Sequence, residues 1–267
     1  MAATATEQSG LTGGPAMLAG IRDVDVRMGF IRKVYGILGA QMVVTTIIAS
    51  LITIYGEHLV RYNPALVTSL MVVSMVASFC TMCVFICCPD TMRKSPTNYL
   101  LLLCFTVAES VMVGFICVQY TVQSVLVTLG ITAALVLALS LFALQTTYDF
   151  TGFMPYLFAL VCSLCLFGLV MSIFAWFICR MCEIVGTGAF KVLRLGEIRV
   201  CRNMIYAGLG AVIFSFYIIF DTQLIVGGKH NKFRFSIDDY CMAAINIYVD
   251  IIQLFLFLLQ LLGDRRN

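Results

Sequence analysis

Charge is scarce in this chain. Only 12% of its 267 residues are Asp, Glu, Lys or Arg, and 61% are apolar, where an ordinary soluble domain carries about 25% charged residues. A soluble fold could not cover so much apolar surface with so few polar groups. Histidine is nearly missing: His58 and His230 both fall between apolar runs, which argues against a zinc site despite twelve cysteines. The net charge of +3 is too small and too scattered for a nucleic-acid partner. No Asn-x-Ser/Thr sequon marks an extracellular surface. No cleavable leader is expected, because Glu7 replaces a basic n-region and no apolar core precedes Arg22. Neither Asp-Arg-Tyr nor Asn-Pro-x-x-Tyr is present to suggest a seven-helix receptor. The Gly-x-Gly-Asp of an intramembrane aspartyl protease is absent too, since Gly208-Leu-Gly210 is not followed by an acid. No enzymatic activity is expected.

What the chain has is long apolar runs. A spanning helix takes about 20 mostly apolar residues, and seven runs qualify: Val34 to Tyr55, Ala65 to Cys88, Asn98 to Val118, Val122 to Thr147, Phe153 to Cys179, Met204 to Val226 and Tyr240 to Leu262. They are too long for barrel strands, so the expected fold is an all-α integral membrane protein with seven transmembrane helices. Residues 1–21 read as a flexible tail and 22–267 as the membrane domain. Arg22, Asp23, Asp25, Arg27, Arg32 and Lys33 form a mixed-charge collar before the first run, either solvated or lying on the membrane surface.

With the N-terminus inside, nine Lys and Arg fall on the inner side and eight on the outer. Five of those eight lie between Arg180 and Arg202; without that connection the positive-inside rule favours a cytosolic N-terminus. In the connection Phe190, Val192, Leu193, Leu195 and Ile198 alternate with Lys191, Arg194, Glu197 and Arg199. It reads as a solvated loop with a charged face or as an interfacial helix. Cys80-x-x-Cys83 and Cys162-x-x-Cys165 have metal-like spacing but fall inside apolar runs, where cysteine packs as a small, weakly polar residue. A disulfide outside the bilayer would pair Cys182 with Cys201, and Cys88 is a candidate for palmitoylation.

Two acids interrupt the last two runs, Asp221 and Asp250. A carboxylate at the bilayer centre costs roughly 2.5 to 3.5 kcal/mol on insertion scales, so each must face protein or water. A hairpin around Gly227-Gly228 makes the two helices antiparallel neighbours, with Asp221 about 8 Å and Asp250 about 15 Å from the same surface. Direct contact is feasible. Two carboxylates in low dielectric cannot both ionise cheaply, so they would share a proton and act as a proton-sensitive latch. Asn246, Asp250, Gln253 and Gln260 share one helix face. Glu109, with Thr106 and Ser110, lies in the third run, and Gln145 and Asp149 close the fourth. For these, structural pairing and a functional role both remain open.

Gly29-Phe-Ile-Arg-Lys-Val-Tyr35, Ala108-Glu-Ser110, Phe142-Ala-Leu-Gln-Thr-Thr-Tyr-Asp-Phe-Thr151, Phe220-Asp-Thr-Gln-Leu224 with Gly227-Gly-Lys-His230, and Ile247-Tyr-Val-Asp-Ile-Ile-Gln-Leu-Phe-Leu256 follow one another from about Val26 to Gly263. In that order they resemble the transmembrane Bax inhibitor motif family, in its lifeguard branch. The resemblance implies a seven-helix bundle with the C-terminal helix central, calcium leak from intracellular stores and suppression of cell death. It puts the family's paired aspartates on Asp221 and Asp250, and a basic latch on Arg93, with Lys94 as the alternative. It implies an endoplasmic reticulum or Golgi membrane, or the plasma membrane. The implied partners are calcium ions, the lipid bilayer, and cell-death regulators or other channels. Departures from the pattern are a short tail whose only proline is Pro15, a longer 180–202 connection, and Thr147 where a basic residue is common.

The expected mechanism is a latch at Asp221 and Asp250 that closes a polar path lined also by Asn246 and Glu109. Deprotonation would open it and create a transient calcium site completed by water. No resident cofactor is expected. The alternative is a non-conducting membrane scaffold that binds cell-death proteins.

Overall fold

The computed structural model describes residues 14–88, 91, 93–185, 190–227 and 238–266, with side chains left out at 14–24, 175–176 and 178–201. Among these residues every long element is a helix: α1 Gly14–Tyr62, α2 Pro64–Cys87, α3 Thr97–Val118, α4 Val122–Gln145, a short 3₁₀ turn Phe150–Phe153, α5 Met154–Val185, α6 Phe190–Val226 and α7 Tyr240–Leu262. All seven α-helices are long and apolar enough to cross a membrane, which their backbone requires, since a helix satisfies its own polar groups in lipid.

Local chemistry sets the boundaries. Pro64 opens α2 at a position where its missing N–H costs nothing. The Thr121 hydroxyl accepts the amide of Ser124 at the start of α4. At the end of α6, Gly227 takes φ +58°, the left-handed conformation that glycine enters without a Cβ penalty, and its amide returns to Gln223 O at 2.9 Å. The turn expected at Gly227-Gly228 begins as anticipated; residues 228–237, with their basic side chains and His230, lie outside the described residues.

Two stretches expected outside the spans include helical backbone. The tail anticipated over residues 1–21 is already helical from Gly14, and α1 runs 49 residues, about 74 Å at 1.5 Å per residue, far more than the roughly 30 Å of hydrocarbon it must cross. The stretch from Arg180 to Arg202, read as loop or interfacial helix, is helical backbone up to Val185 and again from Phe190, continuous with α6. The helix there contains Gly196, at a propensity cost of roughly 1 kcal/mol. The Cys182–Cys201 pairing lies outside the described side chains, while the nine cysteines that are described are free.

The helices differ sharply in how enclosed they are. Within their most apolar windows α7 is 67% buried, α6 61% and α3 56%, whereas α4 and α5 are each 11% buried. The last two therefore present their apolar faces to lipid. α7 packs against α6, α1, α4 and α3, and from Cys241 to Leu259 it is apolar and buried on nearly every side. Phe85 of α2, Phe105 of α3 and Tyr248 of α7 make an edge-to-face ladder with centroids 5.8 and 6.2 Å apart, a geometry the ring quadrupoles favour. Gly210 lets α6 approach closest, since a Cβ there would stand 2.6 Å from the Phe257 ring.

Candidate functional site

α6 and α7 bring the two intramembrane acids together. Asp221 and Asp250 are 3% and 6% exposed, and their side chains meet across the helix interface, carboxyl to carboxyl. The surrounding turns of α6 and α7 are buried and largely apolar, with Ile218, Phe220, Ile251 and Leu254 among their enclosed residues, so water contributes little screening. Among the described residues no Lys, Arg or His forms an ion pair with either acid, and Asp250 Oδ2 is enclosed without a donor. Two carboxylates alone offer only acceptors, so a hydrogen bond between them would need one of them protonated. Tyr217, one turn before Asp221 on the same face, lies within electrostatic reach of both. It was not singled out in the sequence, although its i−4 spacing from Asp221 was the available signal.

Asn246 is half-buried one turn before Asp250. Glu109 is placed elsewhere: it faces Ser78 of α2 and lies near Tyr248, beside a second polar cluster on the other side of α7. There Gln41 donates to Thr106 at 3.0 Å, Ser110 donates to Thr45 at 3.1 Å, and the Thr45 and Tyr248 hydroxyls meet at 2.8 Å. Tyr248 and Asp250 are two residues apart and therefore point to roughly opposite faces of α7, so Glu109 does not share the aspartate pocket.

Arg93, anticipated as a bridge to the aspartates, instead pairs with Asp239 at 2.9 Å. Asp239 precedes Asp250 by eleven residues, about 16 Å along the helix, beyond the reach of an arginine side chain. A different arginine engages α6. Arg27, in the collar of α1, donates to Leu224 O at 2.6 Å and to Val226 O at 3.1 Å, with its guanidinium 4.7 Å from the Phe30 ring. It thus satisfies carbonyls that a helix end leaves without partners and places positive charge at the negative end of the helix dipole. The sequence showed Arg27 only as one of several exposed charges.

Gln223, two residues past Asp221, holds the corner between α4 and α5. Its amide donates to Tyr148 O at 2.9 Å and its oxygen accepts the Phe150 amide at 2.8 Å. Asp149 caps the 3₁₀ turn by accepting from the amide and hydroxyl of Thr151. Gln145 ends α4 exposed, and Asp149 serves the turn. Among the described residues no group of three His, Cys, Asp or Glu gathers anywhere. The aspartates can therefore offer a cation at most two side chains, and water would have to complete its shell.

The comparisons agree with this architecture. The family described as inhibitor of apoptosis-promoting Bax1 matches residues 27–267. Similar proteins include Protein lifeguard 3 of Homo sapiens, 34% identical over 245 residues that cover 91% of this chain and 71% of that protein. Protein lifeguard 3 of Mus musculus is 32% identical over 249 residues, with the same shares covered. Protein LIFEGUARD 3 of Arabidopsis thaliana is 31% identical over 242 residues, covering 89% and 85%. With seven helices long and apolar enough to span and the match running through both aspartates, the chain belongs to the Bax inhibitor-1 family of multi-pass membrane regulators of cell death, on its lifeguard side.

Proposed function

We propose that this protein is a proton-gated calcium leak of an intracellular membrane, most simply the endoplasmic reticulum or Golgi, and that it suppresses apoptosis by lowering stored calcium. The observation that carries the reading is the enclosed carboxyl pair of Asp221 and Asp250 on two adjacent membrane helices. With one shared proton the pair is a hydrogen-bonded tie between α6 and α7. Loss of that proton leaves two negative charges in a low-dielectric wall, where repulsion separates the helices. The same step exposes oxygen ligands suited to calcium, with Asn246 one turn away. Arg93 is given no part in this tie, because its ion pair with Asp239 holds it about 16 Å along the helix from Asp250. Calcium then moves down its gradient without coupling to another ion.

The test is calcium efflux from liposomes holding purified protein, from about pH 5.5 to 8. Flux rises as pH rises, and Asp221→Asn with Asp250→Asn removes the pH dependence. Unchanged flux and unchanged pH response in the double variant would overturn the scheme. A non-conducting scaffold for cell-death regulators is the second reading. It is favoured by the aromatic corner of Tyr148, Phe153 and Tyr156, all exposed on a backbone pinned by Gln223. Wild-type protein that is folded but passes no calcium would support it.

A further inference from the structure

A groove of about 570 Å³ opens sideways between α1 and α4. Both helices pack on α7 but scarcely on each other, so α3 and α7 form its floor. Val113, Cys117 and Phe255 are buried at the bottom, while Ile54, Leu126 and Leu137 are exposed along the rims. The walls are almost wholly apolar, and the threonines among them already bond to their own helices, Thr46 to Met42 O and Thr53 to Ala49 O. Close-packed proteins do not keep empty spaces of this size, and water finds too few polar partners here to fill one. The length of the α1 wall, from Met42 to Ile54, is about 18 Å, close to the roughly 15 Å depth of one leaflet of hydrocarbon.

The end of the groove nearest the C-terminus carries charge. Val122 closes the α4 side, and immediately before it Thr121 donates to Asp264 O and Tyr120 pairs with Arg265. Arg265 lies exposed with its guanidinium 5.8 Å from the Tyr120 ring. Arg266 donates to Glu57, one turn beyond Ile54, at 2.7 Å. The charged residues described at this end are Arg61, Arg265 and Arg266 against Glu57 and Asp264, a net positive rim, with His58 stacked on Tyr62.

We propose that this groove is a phospholipid site: one acyl chain lies between α1 and α4, and the phosphate sits against Arg265 and Arg266 in the leaflet on the C-terminal side. An apolar slot one leaflet deep, topped by the exposed Arg265 guanidinium and by that of Arg266, one nitrogen of which is already held by Glu57, matches such a molecule at both ends. Arginine forks suit phosphate oxygens, and basic sites beside membrane helices recognise headgroups. The groove's floor residues Ile252 and Phe255 lie on a different face of α7 from Asp250, and the site does not depend on ions passing.

The test uses full-length protein in liposomes containing phosphatidylcholine with a diazirine midway along one acyl chain. After illumination, labelled peptides are mapped by mass spectrometry. Peptides spanning 42–54 and 122–137 should be labelled well above those of α2 and α5, which face lipid equally. Arg265→Ala with Arg266→Ala should lower groove labelling at least about fivefold and up to about 30-fold, for one to two lost headgroup contacts of about 1 kcal/mol each, without changing labelling of α2. Ala133→Trp, which fills the slot, should do the same; the exposed arginine variant decides the question if the tryptophan variant misfolds. A diazirine fatty acid, which lacks the phosphate, should label the groove weakly and ignore the arginine change, and inorganic phosphate should not compete. Labelling spread evenly over the lipid-facing helices, groove labelling indifferent to both variants, or cross-links joining two copies through the groove would each overturn the proposal.

Discussion

Removing the Arg27 side chain should loosen the end of the helix that carries Asp221. Its guanidinium makes two hydrogen bonds to carbonyls, at 2.6 Å and 3.1 Å, and lies over Phe30. Hydrogen bonds to a charged group contribute about 1.5 to 3 kcal/mol each and an exposed cation–π contact about 0.5 to 1 kcal/mol. Arg27 is only half-buried, and water can reach the freed carbonyls, so the net loss should be nearer 2 kcal/mol than the sum. At about 1.4 kcal/mol per factor of ten, amides of the last α6 turns should open roughly 30-fold more often. Hydrogen exchange by mass spectrometry, on protein in lipid nanodiscs, reads this directly over residues 221–227. Arg27→Lys should fall between wild type and Arg27→Ala, because lysine restores charge but not the two-pronged geometry. Unchanged exchange in Arg27→Ala would refute the clamp, whatever the calcium measurements show.

Gln223→Ala removes both bonds to the Tyr148–Phe150 corner and should cost about 1 to 3 kcal/mol; limited proteolysis should cut near residues 146–152 sooner than in wild type. Gly210→Ala puts a methyl 2.6 Å from the Phe257 ring and should cost about 1 to 3 kcal/mol by overpacking, seen as a lower midpoint in a detergent thermal melt, whereas Gly208→Ala, with open space around it, should leave the melt unchanged. Single Asp221→Asn should keep the fold, because an amide can donate where the shared proton did, while flattening the rise of calcium flux with pH.

The seven spans were legible because the bilayer imposes a length and a composition that no soluble helix must meet. Val122 to Thr147 and Tyr240 to Leu262 in the sequence became Val122–Gln145 and Tyr240–Leu262 in space. The ends beyond the membrane were less legible. Helix from Gly14 and from Phe190 carries no hydrophobic-length signal, and its mixed polar pattern resembles that of a solvated loop.

The two intramembrane acids were determined by the sequence alone, since burying a carboxyl in hydrocarbon is costly enough to leave few innocent explanations. Their spacing from the α6–α7 turn also made a meeting feasible. What the chain could not reveal was which partner each remaining polar group would take. Arg93 follows the end of α2, yet its pairing with Asp239 and not with the aspartate pair is a matter of distance in three dimensions. Arg27 and Leu224 lie 197 residues apart, and the groove between α1 and α4 exists only because two helices that share α7 as a neighbour fail to meet each other. Contacts of this kind depend on helix rotation and crossing, which side-chain packing sets and composition does not.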